Sequence, residues 1–342
     1  MIKFSEYVSL GHPDKIADYI SSYLLDRYIE RDPNTRYAVE VQIKNHSVIL
    51  GGEVSSTVNF DYNDFCTFVQ DAVREIGYTR EYMQKWGEQN AICCDYLGVH
   101  PNITQQSRDI ARGLDGWGDQ GIFFGHATYL PETCMMPIDY TLARRLNKAL
   151  FDSNIGGLDI KTQVVMRDDA IEKVIVAIPL LKEHDVRRVK RFVGKHLKGN
   201  YELIVNGTGA YKQHSTIADC GTTGRKLAVD FYGGNCRIGG GSPWTKDGSK
   251  ADLSLNLVAR KLARAYAKDN QCDVEVALAC CIGKTEVDMY VQDKAGNCLT
   301  EGKIDINPKE IIKAYELDKP KYASMCRWGL FGEYQQDRMW EK

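Results

Sequence analysis

Between Arg36 and Lys44 the chain alternates cleanly, with Tyr37, Val39, Val41 and Ile43 on one side, the period-two signature of a half-buried strand. Ser47 to Val54 reads as a second strand after Asn45-His46, and Asp61 to Ile76 reads as an amphipathic helix. The same order returns at Lys161 to Arg167, Lys173 to Leu181 and Glu183 to Leu197, and again at Val274 to Ile282, Glu286 to Gln292 and Pro308 to Tyr315. Residue identity does not repeat, so only the pattern predicts three hairpin-plus-helix units. The fold class is therefore α+β, with three antiparallel sheets backed by helices. Boundaries near Pro101 and Asn206 divide the chain into subdomains at 1–100, 101–206 and 207–342.

If Asn45-His46 is a two-residue turn, Glu40 pairs across from Gly51 and Glu53 lands one step along on the same face. That face is opposite the apolar one bearing Val39, Val41, Val48 and Leu50. Two readings stay open: a solvated outer face, or a face covered by a partner subunit, which would make the glutamates ligands for a cation or an amine.

The 342 residues, 43% of them apolar, suffice for a sizeable core. A formal net charge of −2 with interspersed signs offers no long-range field for nucleic acid or an anionic membrane. The amino terminus turns polar within a few residues, and no later run approaches a membrane span, which predicts a cytoplasmic protein. Eleven cysteines without any C-x-x-C read as reduced thiols, and the seven histidines give no zinc-ligand spacing near them.

The chemistry concentrates between Asp219 and Asp252. There Arg225, Lys226, Lys246 and Lys250 can neutralise phosphate oxygens, while Asp219, Asp247 and Asp252 can hold a divalent cation or a ligand amine. Gly233-Gly234 and Gly239 to Gly241 let a large anion approach the main chain. Leu257, Val258, Leu262 and Ala265 follow at helical spacing, so the segment feeds a helix N-terminus, where free N–H groups favour anions. Gly11-His12-Pro13-Asp14-Lys15 opens a second helix; capping accounts for Pro13 and Asp14 but not for His12 and Lys15. Gly118-Asp119-Gln120-Gly121 is a further polar, glycine-flanked turn.

In this order, GHPDK, GGE at 51–53, GDQG at 118–121, DIKTQV at 159–164, DCGTTGRK at 219–226, YGG at 232–234, GGG at 239–241 and KDGSKAD at 246–252 resemble the methionine adenosyltransferase (S-adenosylmethionine synthetase) family. The resemblance runs from Phe4 to the carboxyl terminus. It implies three similar α+β subdomains in a pseudo-threefold arrangement, with active sites shared across a homodimer and possible pairing of dimers. It also implies synthesis of S-adenosylmethionine: methionine sulfur attacks C5' of ATP and expels triphosphate, which is then hydrolysed to pyrophosphate and phosphate. A neutral thioether needs no base, so the demand falls on stabilising the leaving triphosphate.

By motif, the resemblance puts His12, Lys15, Lys161, Arg225, Lys226 and Lys246 at the phosphates and Asp159 at ATP, with His12, Lys161, Arg225 and Lys246 catalytic. It puts Asp119, Tyr211 and Ser242 at the nucleoside, Asp219 against both substrates, and Glu53, Gln105 and Lys250 at methionine. Asp14 and Asp252 match Mg2+ ligands, about two ions per site, and Glu40 matches the K+ ligand. Pro101 to Leu114 resembles the family's active-site loop. The chain departs from the family at two places. An N-P-T-G-R-F segment followed by glycines is replaced by Asn206-Gly207-Thr208-Gly209-Ala210-Tyr211-Lys212-Gln213-His214-Ser215, and a histidine before GGG is replaced by Ile238. Neither change removes a charged group assigned above, so activity is expected to persist with altered kinetics or substrate tolerance. The alternative is a catalytically silent homologue that binds ATP or methionine as a regulatory subunit.

Overall fold

The computed structural model describes residues 1–105 and 116–342. Along the chain run β1 (Ile2–Val8), α1 (Pro13–Ile29), β2 (Arg36–Lys44), β3 (Ser47–Ser55), α2 (Tyr62–Ile76), α3 (Arg80–Trp86), β4 (Gly98–Gln105) and β5 (Gly121–Ala127). Then come α4 (Ile138–Ser153), β6 (Lys161–Arg167), β7 (Ala170–Ala177), α5 (Asp185–His196), β8 (Glu202–Val205), α6 (Ser215–Ala218), β9 (Gly221–Thr222) and α7 (Leu227–Asp230). The chain closes with α8 (Ala251–Asn270), β10 (Val274–Cys280), β11 (Glu286–Asp293), β12 (Cys298–Asp305), α9 (Pro308–Tyr315) and α10 (Tyr322–Cys326).

The described strands form three four-stranded sheets, ordered β1-β6-β7-β8, β4-β3-β2-β9 and β12-β11-β10-β5. Each expected hairpin is present, and each sheet borrows a strand from another third of the chain: β1, β9 and β5 respectively. Two edges depart from antiparallel pairing, since β3–β4 and β7–β8 run parallel. The boundary expected near Pro101 falls inside β4, where an edge position tolerates a residue without an N–H. Of the loop expected over Pro101 to Leu114, Pro101 to Gln105 belongs to β4, and the remainder lies outside the described residues. β7 starts at Ala170 rather than Lys173 because Asp168 and Asp169, both at positive φ, close a two-residue hairpin turn.

The β2–β3 register pairs Glu40 with Gly51 and Ala38 with Glu53, so both glutamates lie on the face opposite Val39, Val41, Ile43, Val48 and Leu50. Those five apolar residues are fully buried, and α1 packs against β2. α1 itself is buried all round, from Pro13 to Ile29, with Arg27 the partial exception. It also contacts α2, α10 and β9, which makes it the axle on which distant parts of the chain meet. No helix among the described residues is long and apolar enough to cross a membrane.

Candidate active site

His12 caps α1, and its Nδ1 accepts the Asp14 N–H at 3.2 Å. That bond leaves the ring proton of the neutral imidazole on Nε2. Burial, then the charges of Lys226 and Lys161, push the His12 pKa down to about 2, so the ring is neutral at physiological pH. The 219–226 loop lies directly on this turn. A Cβ on Gly221 would collide with the Pro13 carbonyl oxygen, so only glycine permits the approach. Close contact then lets Thr222 N–H donate to Asp14 Oδ1 at 3.0 Å, Lys226 Nζ reach Asp14 Oδ2 at 2.6 Å, and Arg225 Nε stand 3.7 Å from Asp14 Oδ1.

Lys15 requires a correction. It does not face the cleft; its ammonium is buried against Asp230 (2.6 Å) and Asp18 (3.2 Å), over the Trp244 ring. Helical geometry explains this, because a residue next to Asp14 points about 100° away and shares a face with Asp18 three positions on. Trp244 Nε1 donates to Asp230 Oδ2 at 2.8 Å, and Gly224 N–H donates to Asp18 Oδ1 at 2.9 Å. Burial pushes the Asp18 pKa up, against the lowering charge of Lys15. This buried cluster ties the 219–226 loop, the Trp244 segment and α1 together beneath the site. Asp18, Asp230 and Trp244 were not among the sequence candidates, although the Asp14-to-Asp18 helical spacing is a signal that could have found the first.

The opposite wall begins where Lys246 bridges to Ala38 on β2 and Val39 N–H donates to the Thr245 carbonyl at 3.1 Å. Lys246 Nζ pairs with Asp252 Oδ2 at 2.8 Å, and Asp252 stands in the first turn of α8, for which Lys250 is the N-cap residue. A Cβ on Gly241 would overlap the Asp252 carboxylate, so the glycine run makes room for it. Asp247, a sequence candidate for a cation, is used structurally instead. It accepts from Tyr37 N–H at 2.8 Å and Ser249 N–H at 2.9 Å and pairs with Arg36. The two walls touch where a Cβ on Gly224 would lie 2.9 Å from Ser242 Cβ.

Lys161 opens β6, between Val8 of β1 and Ala177 of β7, and is exposed. Asp159 Oδ2 accepts the Ser215 N–H at 2.9 Å, its Oδ1 is buried without a partner, and burial pushes its pKa up to about 6. The charges of Lys161, Asp219 and Asp14 all act on Asp159, so these groups share one electrostatic neighbourhood. Glu40 accepts from the Thr223 hydroxyl and lies exposed on the β2 face, with Glu53 partly exposed beside it. Asp119 is exposed; Cys280 Sγ lies 3.4 Å from its carbonyl oxygen and feels the charges of both Asp119 and Asp252. Tyr211 is half-buried, its carbonyl accepting from Leu180 N–H, and Gln105 is exposed at the end of β4.

The structure therefore brings His12, Asp14, Asp159, Lys161, Asp219, Arg225 and Lys226 within reach of one another's charges, while Lys246 and Asp252 pair at the start of α8. Asp14 and Asp252 offer the hard carboxylate oxygens that Mg2+ takes, and each is matched to a lysine. Elsewhere among the described residues, Cys93, Cys94 and Asp95 place three potential metal ligands together. Their chemistry does not suit a cation, because Arg74 and Arg80 hold Asp95 and burial pushes the Cys94 thiol up to about 12.

The S-adenosylmethionine synthetase N-terminal domain matches residues 1–108 and the C-terminal domain matches residues 214–342. The S-adenosylmethionine synthase of a Nitratiruptor species is 34% identical, with 99% of this chain and 94% of the relative aligned. That of a Parafrankia species is 33% identical over 98% of this chain and 95% of the relative. A solved structure described as an unusual S-adenosylmethionine synthetase from Campylobacter jejuni superposes with a TM-score of 0.90 at 29% identity, covering 100% of this chain and 96% of the other. Agreement over both domains, nearly the full length and the whole fold leads to one conclusion: the chain belongs to the S-adenosylmethionine synthetase family.

Proposed function

We propose that the cleft between the α1 turn and the α8 turn is where this S-adenosylmethionine synthetase holds ATP by its triphosphate and lets methionine sulfur displace it at C5'. The observation that carries the reading is the joining of His12, Asp14, Arg225 and Lys226 at one helix start, with Lys161 beside them. Cations aimed where charge develops are what a polyphosphate leaving group needs. Neutral His12, with its proton on Nε2, donates a hydrogen bond to the departing oxygen rather than acting as a base. Lys226 and Lys246 rest on carboxylates until phosphate oxygens replace them.

Asp14 and Asp252 would hold Mg2+ and Glu40 would hold K+; the ions supply charge neutralisation on the triphosphate. Asp119, Tyr211 and Ser242 would line the nucleoside, and Glu53, Gln105, Asp219 and Lys250 the methionine. Support for a homodimer comes from the outward face of β2 and β3, where the glutamates sit beside Ile49, 46% exposed. A second copy over that face would turn Glu40 and Glu53 into site residues, and pairing of dimers would extend the assembly. The free cysteines suit a reducing, cytoplasmic setting. The test is incubation with methionine, ATP, Mg2+ and K+ while nucleotide products are followed. A sulfonium nucleoside with pyrophosphate and phosphate is expected; unchanged ATP, or release of ADP or AMP, would overturn the proposal.

A further inference from the structure

The segment that departs from the family, Asn206 to Ser215, carries a buried histidine near its end. His214 is 1% exposed and packs among Tyr78, Tyr82 and Trp86, with ring centroids 5.8 Å from Tyr82 and 4.9 Å from Trp86. The Tyr82 hydroxyl accepts the Leu158 N–H at 2.9 Å, and its own proton goes to His214 Nε2 at 2.7 Å. On the other side of the ring Nδ1–H donates to the Lys212 carbonyl at 2.6 Å, so these bonds fit one neutral tautomer. The His214 N–H donates to the Asn90 carbonyl at 3.1 Å, and Gln213 Nε2 donates to the Gln89 carbonyl at 3.2 Å.

The consequence appears one residue on. Ser215 sits at φ 55, a conformation that favours glycine and that a serine adopts only where its surroundings impose it. In that conformation its N–H donates to Asp159 Oδ2 at 2.9 Å, and its carbonyl accepts the Asp219 N–H at 3.0 Å. Tyr82 thus grips Leu158 while the residue after His214 grips Asp159, at the start of the short run to Lys161. The same turn ends in the Asp219 N–H bond to the Ser215 carbonyl.

We propose that Tyr82 and His214 form a latch that positions Asp159 and Lys161 for the nucleotide. The proposal rests on the reading of Asp159 and Lys161 as ATP contacts. Neither latch residue is catalytic; both act through the main chain they hold, and the latch spans α3, the β6 entry and α6.

The test uses the full chain in steady-state assays of S-adenosylmethionine formation, with wild type measured first. Tyr82→Phe keeps the ring and removes only the hydroxyl. It is expected to raise the KM for ATP about tenfold, the equivalent of one buried hydrogen bond, while the KM for methionine stays within about twofold. Tyr82→Phe/His214→Ala should match the weaker-binding single variant, because both act through one chain of bonds. An unchanged ATP KM in Tyr82→Phe, parallel rises in both KM values, or multiplicative effects in the double variant would each overturn the latch. Should His214→Ala not fold, the KM split in Tyr82→Phe decides alone. A wild type that forms no product overturns the functional reading beneath the latch; an active wild type with an indifferent Tyr82→Phe overturns the latch only.

Discussion

Lys246→Ala separates a catalytic cation from a structural one. In the structure Lys246 reaches Asp252 at 2.8 Å, with side chains 23% and 28% exposed, so the pair is screened by water. Pairs of this kind contribute about 0–1 kcal/mol to stability. The melting temperature should therefore fall by no more than about 2–4 °C. Against a leaving triphosphate the same ammonium faces charge that grows as C5'–O cleavage proceeds. Loss of one preorganised donor to such charge costs about 100- to 1,000-fold in kcat. Steady-state kinetics with both substrates varied, together with a thermal melt, read both quantities. The expected result is a large fall in kcat, a methionine KM near wild type and a small thermal shift. Equal losses in kcat and methionine affinity would refute the leaving-group role, and so would a collapse of stability with kcat intact.

Other substitutions test the scaffold beneath the site. Gly221→Ala forces a Cβ into the Pro13 carbonyl; a cost of about 1–3 kcal/mol or more and weakened ATP binding are expected in calorimetry, and wild-type binding would contradict the close approach. Lys15→Met leaves Asp18 and Asp230 buried without their cation, which should destabilise the fold by about 3–5 kcal/mol in chemical denaturation; an unchanged midpoint would contradict the cluster. His214, among Tyr78, Tyr82 and Trp86 and linked through Ser215 to Asp159, has its pKa pushed down to about 4 by burial. Below pH 6.5 the unfolded chain therefore takes up that proton first, and the stability tied to neutral His214 is lost as pH falls from 6.5 towards 4. Wild type should lose ground to His214→Asn by about 1.4 kcal/mol per pH unit in that window, and a pH-independent difference would contradict the buried neutral ring.

The parts of the fold legible beforehand are those written in local period. β2 has the bounds that its alternation predicts, and β6 and α9 have those that the repeated strand-strand-helix order predicts. What could not be read is set by register at long range. β9 is two residues long and exists only because Gly221 and Thr222 pair with Ile43 and Gln42. β1 and β5 alternate too weakly to announce which sheet they join. Pro101 resembles a breaker, yet an edge strand has no partner needing its missing N–H. In the site, types of residue were readable and directions were not. Lys15 and Asp247 carry the right charges in the right motifs, but the helix turns one inward and Tyr37 N–H engages the other. His214 looked like a loss of glycines; its burial among three aromatic rings is visible only in three dimensions.

The central claim is that the cleft holds ATP chiefly by the triphosphate it will expel. Competition against ATP in the S-adenosylmethionine-forming assay, with inorganic triphosphate and adenosine compared in Mg2+ and K+, tests it most directly. Triphosphate should inhibit at concentrations near or below the KM for ATP, adenosine should require far more, and Lys226→Ala should blunt triphosphate alone. Strong inhibition by adenosine with triphosphate inert would contradict the account.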